Sequence, residues 1–227
     1  MVPRELAASR PCLGERILFK FQVKMRSFKH WTPHYITSRL AEKYYHRSHA
    51  DEPWLTPQAV RFLEGWLKPG DKMLEFGSGR STIWFARRVN SLVSVEHDPL
   101  WYERVNASLK AQNLEHVIYL KKSIEGSPAE YTLVPGRFED NSLDVILVDG
   151  RLRDECINAS LPKLKPGGLL VLDNADVYIP SQVITPNAHR EGVESPGWQV
   201  FLDTAAEWRC FWTCNGVSAT AFYFKPC

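Results

Sequence analysis

The sequence predicts an α/β protein: a doubly wound, mostly parallel seven-stranded sheet that finishes in a C-terminal antiparallel hairpin. Three observations predict it. From Asp71 onward, short apolar runs alternate with helical segments, the pattern of a parallel sheet covered on both faces. The first run passes into the first of these helices through a glycine turn, Gly77-Ser78-Gly79, which lets backbone approach a ligand closely. Near the end the alternation stops, and Arg209–Cys214 and Val217–Lys225 are separated by Asn215-Gly216, a strong hairpin signal.

The elements follow in order. Residues 1–30 show no clear period, although Ile17, Leu18, Phe19, Phe21 and Val23 interleave with Arg16, Lys20 and Lys24, as in a short strand or a surface-binding amphipathic piece. Ser38–Arg47 reads as a helix. His30, His34, His46 and His49 share no metal-binding spacing, so surface or capping roles are expected for them. Thr56-Pro57 starts a helix with an apolar stripe at Val60, Leu63 and Leu67, and Pro69-Gly70 stops it. Strands are expected at Lys72–Phe76, Ser91–Glu96, Val117–Lys121, Leu143–Asp149 and Leu169–Asp173. Between them lie helices from Ser81 to about Val89, from Asp98-Pro99 to about Gln112 and from about Asp154 to Leu161, with a loop-like stretch over Ser123–Asp140.

The chain has 227 residues, of which 44% are hydrophobic, enough for one well-buried domain. This divides it into a basic N-terminal extension, 1–50, and a domain over 51–227. The formal net charge is +2, but the first 48 residues concentrate Arg4, Arg10, Arg16, Lys20, Lys24, Arg26, Lys29, Arg39, Lys43 and Arg47. Such an arm suits an anionic partner or a solvated extension. The five cysteines are odd in number, scattered and without a C-x-x-C pair, which argues against a disulfide framework or zinc knuckle and suits a reducing compartment. With no secretory segment or apolar run of spanning length, a cytoplasmic protein is expected.

Glu75 gives the glycine turn its meaning. A dinucleotide phosphate has no use for a carboxylate there, whereas a ligand with an ammonium group does. Glu75-Phe76-Gly77-Ser78-Gly79 resembles, position by position, the first motif of the class I S-adenosylmethionine-dependent methyltransferases. The parallel sheet ending in a hairpin is similar too, over roughly Thr56 to Lys225. The resemblance implies a Rossmann-like methyltransferase fold and S-adenosylmethionine as cofactor. It also implies cofactor contacts from Glu75, Phe76, Gly77, Ser78, Gly79, Ser81 and Thr82, and from Glu96 and His97 at the end of the second strand, Glu96 taking the ribose hydroxyls. After the third strand, Ser123 or Glu125 stands where the family meets adenine. An NAD-binding fold is the rival, disfavoured by Thr82 at the third glycine position of G-x-G-x-x-G.

Strands four and five are neighbours in this fold, which brings Asp149 near Asp173-Asn174, an oxygen set suited to Mg²⁺ or another divalent cation. The pattern resembles that of metal-dependent O-methyltransferases of the catechol and caffeoyl-CoA type, implying Asp149, Asp173 and Asn174 as metal ligands and Asp149 as a catalytic and cofactor-side residue. That family's lysine three positions after the acid is Leu152 here, flanked by Arg151 and Arg153, which suit an anionic substrate group. The base expected in its place is His189, in the long Ala175–Trp198 segment, with Tyr178 and Trp198 as further pocket residues. The function expected is O-methylation of a small-molecule or sugar-type hydroxyl, with a homodimer left open. The alternatives are a nucleic-acid methyltransferase using the basic arm, disfavoured because Asp149-Gly150-Arg151 replaces a Pro-Pro-aromatic motif, and a non-catalytic scaffold of the same fold.

Overall fold

The computed structural model describes residues 28–227, so the amphipathic run at Ile17–Lys24 lies outside the described residues. The helices are α1 (Pro33–Ser48), α2 (Pro57–Trp66), α3 (Arg80–Ala86), α4 (Pro99–Ala111), α5 (Arg153–Ser160) and α6 (Pro196–Thr204). The strands are β1 (Lys72–Phe76), β2 (Ser91–Glu96), β3 (Val117–Lys121), β4 (Leu143–Val148), β5 (Leu164–Asp173), β6 (Arg209–Cys214) and β7 (Ala219–Phe224). They form one seven-stranded sheet in the order β3-β2-β1-β4-β5-β7-β6. The first five strands are parallel, and β7 runs antiparallel to both β5 and β6.

Each central strand is buried on both sides, so its side chains divide by the two-residue pleat. Leu74, Phe76, Val93, Val95, Ile146, Val148, Leu170 and Leu172 join the core beneath α5 and α6. Met73, Leu92, Val145, Leu147, Leu169 and Val171 join Leu63, Phe85 and Val89 on the side of α2 and α3. Glu75 belongs by parity to the second face. Chain order reverses between β1 and β4, which opens a crevice at their carboxyl ends.

The caps expected from sequence form: Thr56 Oγ1 accepts from the Ala59 N–H at 3.3 Å, and Asp98 Oδ1 from the Trp101 N–H at 2.7 Å. The hairpin loop is longer than the two-residue turn its Asn-Gly suggests. Asn215 Oδ1 accepts from the Val217 and Ser218 N–H groups, each at 2.9 Å, so the turn spans Asn215–Ser218 before β7 begins at Ala219. Among the described residues no helix is long and apolar enough to cross a membrane, and the four cysteines there are free.

Helix α1 begins earlier than its periodicity indicates, at Pro33 behind the Thr32 cap. It is docked on the domain. A Cβ on Gly216 would fall 2.5 Å from Ser38 Oγ, Asn215 Nδ2 donates to Glu42 Oε1 at 3.3 Å, and Arg80 Nη1 donates to the His46 carbonyl at 3.2 Å. The helix assigned to the extension therefore borders the carboxyl end of the sheet.

Candidate active site

At the switch point two backbone turns touch. Gly77 takes φ = 88°, which favours glycine, and a Cβ there would meet the Gly150 nitrogen at 2.7 Å. Conversely, a Cβ on Gly150 would sit 2.0 Å from the Tyr131 hydroxyl and 2.9 Å from the Gly77 nitrogen. Gly150 is thus required for the approach of the β1 and β4 turns.

Glu75 lies beneath this turn. Its carboxylate is fully buried, and Oε2 accepts from Thr82 Oγ1 at 2.6 Å and Ser94 Oγ at 2.5 Å. Thr82 Oγ1 in turn accepts from the Gly79 N–H at 3.0 Å. The expected direct ligand contact is thereby revised: Glu75 braces the turn from below and does not line the cavity above it. Its second oxygen, Oε1, is buried without a hydrogen-bond partner among the described residues. Burial raises its pKa from 4.5 to about 7, against the neighbouring Ser81, Ser94 and Thr82 hydroxyls, which lower it. Because the folded state holds this proton more tightly than the unfolded chain, its contribution to stability falls as pH rises from about 4.5 to about 7. Thermal or urea unfolding of Glu75→Gln should lose that decline, with the variant gaining on the parent by about 3 kcal/mol at pH 8.

Above the turn is a cavity of about 950 Å³, lined by Gly77, Ser78, Glu96, His97, Trp101 and Asp149 among others. Glu96 is almost fully buried. Its Oε2 accepts from the Ser78 N–H and hydroxyl at 3.1 and 3.0 Å, and its Oε1 from the His97 and Asp98 N–H groups at 2.7 and 2.8 Å. The Ser78 hydroxyl, shared with the Tyr119 hydroxyl at 2.6 Å, is a contact that a ligand hydroxyl can replace. Trp101 Nε1 donates to the Ser78 carbonyl at 2.6 Å, and Trp101, Leu100 and Arg104 form the wall beside Glu96. Sequence reading missed that wall; its one signal was an aromatic in the first turn of α4, just after the Asp98 cap.

Several expected contacts lie elsewhere. Phe76 is core, its ring 5.4 Å from that of Tyr131. Ser81 and Thr82 are buried under the turn. Ser123 Oγ accepts from the Glu125 N–H at 3.0 Å, and neither residue lines the cavity. His189 is also displaced from the reacting position: its Nδ1 lies 3.2 Å from the Val177 carbonyl, outside the cavity lining. Tyr178 and Trp198, stacked with centroids 5.1 Å apart, do line it.

Asp149, Asp173 and Asn174 converge as expected, but a cation of the chain itself stands among them. The Arg153 guanidinium donates through Nε to the Gly150 carbonyl at 3.0 Å and through Nη1 to the Asp173 carbonyl. Its Nη2 donates to the Asp149 carbonyl at 2.9 Å, Asp149 Oδ1 at 3.0 Å and Asn174 Oδ1 at 3.4 Å. Leu152 and Asn174, both at φ = 48°, shape the two turns around it. A divalent ion would need the Asp149 and Asn174 side-chain oxygens among its ligands, and both are taken by a group that stays protonated at any working pH, so the residues present do not fit the expected metal. Among the described residues no group of three or more His, Cys, Asp or Glu side chains is arranged to hold one. Arg153 is likewise too engaged to hold a substrate anion, whereas Arg151 is exposed at the cavity edge.

The two carboxyls differ. Asp173 is buried and receives the Thr220 hydroxyl at 2.8 Å; burial first, then the Asp149 charge, pushes its pKa well up. Burial raises Asp149 as well, but Arg153 opposes it. With its side chain 31% exposed and paired with Arg153, Asp149 is the more easily ionised member of the pair.

Residues 74–175 match a family model described as a methyltransferase domain. Over 144 residues the chain is 33% identical to protein-L-isoaspartate O-methyltransferase 1 of Arabidopsis thaliana, an alignment covering 60% of each chain. The chain thus spans about 60% of that relative's length. Among solved structures, a Corynebacterium glutamicum protein aligns with TM-score 0.56 at 11% identity, covering 84% of this chain and 90% of its own. A methyltransferase from Geobacter sulfurreducens aligns with TM-score 0.53 at 13% identity, covering 84% and 89%. At such identities these structures speak for the fold alone. The seven-stranded sheet, the glycine turn over Glu75 and Glu96 at the end of β2 accompany that match: residues 74–175 are similar to a methyltransferase domain, on the fold expected of the class I S-adenosylmethionine-dependent type.

Proposed function

We propose that the protein transfers the methyl group of S-adenosylmethionine to an oxygen of a small-molecule acceptor, without a divalent metal. The observation that carries this reading is that Asp149 lines both the cavity above the glycine turn and a second cavity beside α1. A donor on one side and an acceptor on the other would meet there. The first cavity suits the cofactor: it offers Glu96 for vicinal hydroxyls, close glycine backbone, and an unpartnered Glu75 oxygen buried below. When bound, the cofactor supplies an electrophilic methyl group on a sulfonium.

The chain's own residues do the rest. Glu96 and Ser78 hold the ribose, and Trp101 and Leu100 flank the adenine end. Tyr178 and Trp198 keep water from the wall. Arg153 fixes the Asp149 carboxylate and favours its ionised form, so Asp149 can orient the acceptor hydroxyl and take its proton. Asp173, the more deeply buried of the two, ionises less readily and leaves that role to Asp149. The relative's name, an O-methyltransferase, supports oxygen as the accepting atom. The four free cysteines of the described residues fit a reducing, cytoplasmic setting.

The test is a screen of hydroxylated and carboxylated small molecules with methyl-labelled S-adenosylmethionine, run with and without EDTA. Turnover should be indifferent to EDTA and should fall about 10²–10⁴-fold in Asp149→Ala, which should still bind S-adenosylhomocysteine. Activity that survives intact in Asp149→Ala, or that disappears with EDTA and returns with Mg²⁺, would overturn the assignment.

A further inference from the structure

Helix α1 is docked with its polar side inward. Its half-buried positions, Tyr35, Ser38, Arg39, Glu42, Tyr45 and His46, recur at helical spacing and face the domain. Its apolar Ile36, Leu40 and Tyr44 are exposed, and none of its residues is buried. A helix packed for stability alone would turn the other way. The polar side instead walls the second cavity, about 620 Å³ in volume, whose floor is Asp149, Asp173 and Asn174.

The charges on this wall do not balance. Arg39 is paired with Glu42, and Arg80 is engaged by the His46 carbonyl and lies 5.3 Å from the Trp54 ring centroid. Lys43 and Arg47, one turn apart on α1 and both lining the cavity, have no ion pair among the described residues. On the acid side, Asp149 is already matched by Arg153. Two further polar atoms of the same wall, Arg39 Nε and His46 Nδ1, are buried without hydrogen-bond partners among the described residues. A surplus of cations and unused polar nitrogens in a concave site beside the proton-accepting carboxylate is what an anionic, hydroxylated ligand requires.

We propose that this cavity is the acceptor site and takes a small hydroxylated molecule bearing a phosphate group, the phosphate on Lys43, Arg47 and Arg80 and the hydroxyl toward Asp149. A phosphate's three terminal oxygens can meet cations from two elements at once, which the two oxygens of a carboxylate do less completely. His46 is available as a neutral acceptor for a second hydroxyl, since burial lowers its pKa. The cavity's size suits a molecule of sugar-phosphate dimensions. This assignment rests on the methyl-transfer reading, whose donor it places on the far side of Asp149.

The experiment is a calorimetric titration of the full chain, saturated with S-adenosylhomocysteine, against three matched probes: glycerol, glycerate and glycerol 3-phosphate. Glycerol 3-phosphate should bind at least about tenfold more tightly than glycerate, and glycerol should give no heat. In the Lys43→Ala/Arg47→Ala variant its affinity should fall about tenfold or more, with S-adenosylhomocysteine affinity unchanged, which also reports an intact fold. Absent binding of the phosphate ester, or binding indifferent to the double variant, overturns the acceptor assignment alone as long as S-adenosylhomocysteine still binds. A short RNA duplex that binds more tightly than the ester, through the same two cations, would overturn it in favour of a nucleic-acid surface. Failure of S-adenosylhomocysteine itself to bind would remove the methyl-transfer reading and this inference with it.

Discussion

Arg153→Met should lower stability by about 3–5 kcal/mol, a large share of what a domain of this size possesses. The side chain is 10% exposed and donates to three backbone carbonyls, an amide oxygen and a carboxylate. Methionine fills much of the same volume but donates nothing. Removing it strands the Asp149 charge next to Asp173 and leaves the β4 and β5 turns without the cation that joins them. By differential scanning calorimetry the midpoint should drop about 10 °C or more. Arg153→Lys should recover only part of the loss, because one ammonium cannot span acceptors arranged around a planar fork. A midpoint unchanged in Arg153→Met would mean that the turns are held by packing alone.

The second large effect is expected at Glu96. Its carboxylate fixes the Ser78 turn from one side and the start of α4 from the other, so it shapes the cavity as well as presenting charge to it. Glu96→Ala should therefore weaken S-adenosylhomocysteine binding by about 100-fold or more, combining lost charge-assisted hydrogen bonds with a loosened Ser78. Glu96→Gln keeps the shape and one accepting oxygen. It should retain fold and weak binding, separating the turn's geometry from the carboxylate's charge.

Much of this architecture was legible because local pattern and global fold agree. The alternating runs, the Thr56 and Asp98 caps and the Asn215-Gly216 hairpin each carry a local physical signature, and each forms. Glu96 was placed by the sequence at the end of the second strand, and it closes β2 there. What escaped involves contacts between segments far apart in sequence. Gly150 carries no signal that Gly77 and Tyr131 will press against it. Arg153 stands four residues after Asp149, a spacing that suits an ion pair, but only the folded β5 turn shows that Asn174 and the Asp173 carbonyl complete its shell. His189 was an attractive base in a long loop, yet its ring sits against its own loop's backbone. The inward side of α1 was obscured because amphipathic reading assumes that the apolar stripe faces the domain, and here it does not.

The most direct measurement is a calorimetric titration of the purified chain with S-adenosylhomocysteine in buffer containing EDTA, alongside Glu96→Ala. Micromolar binding without added metal, lost in the variant, is the expected result. Absence of binding to the parent, or binding that requires Mg²⁺, would contradict the account; NAD binding in its place would identify the glycine turn as a dinucleotide site.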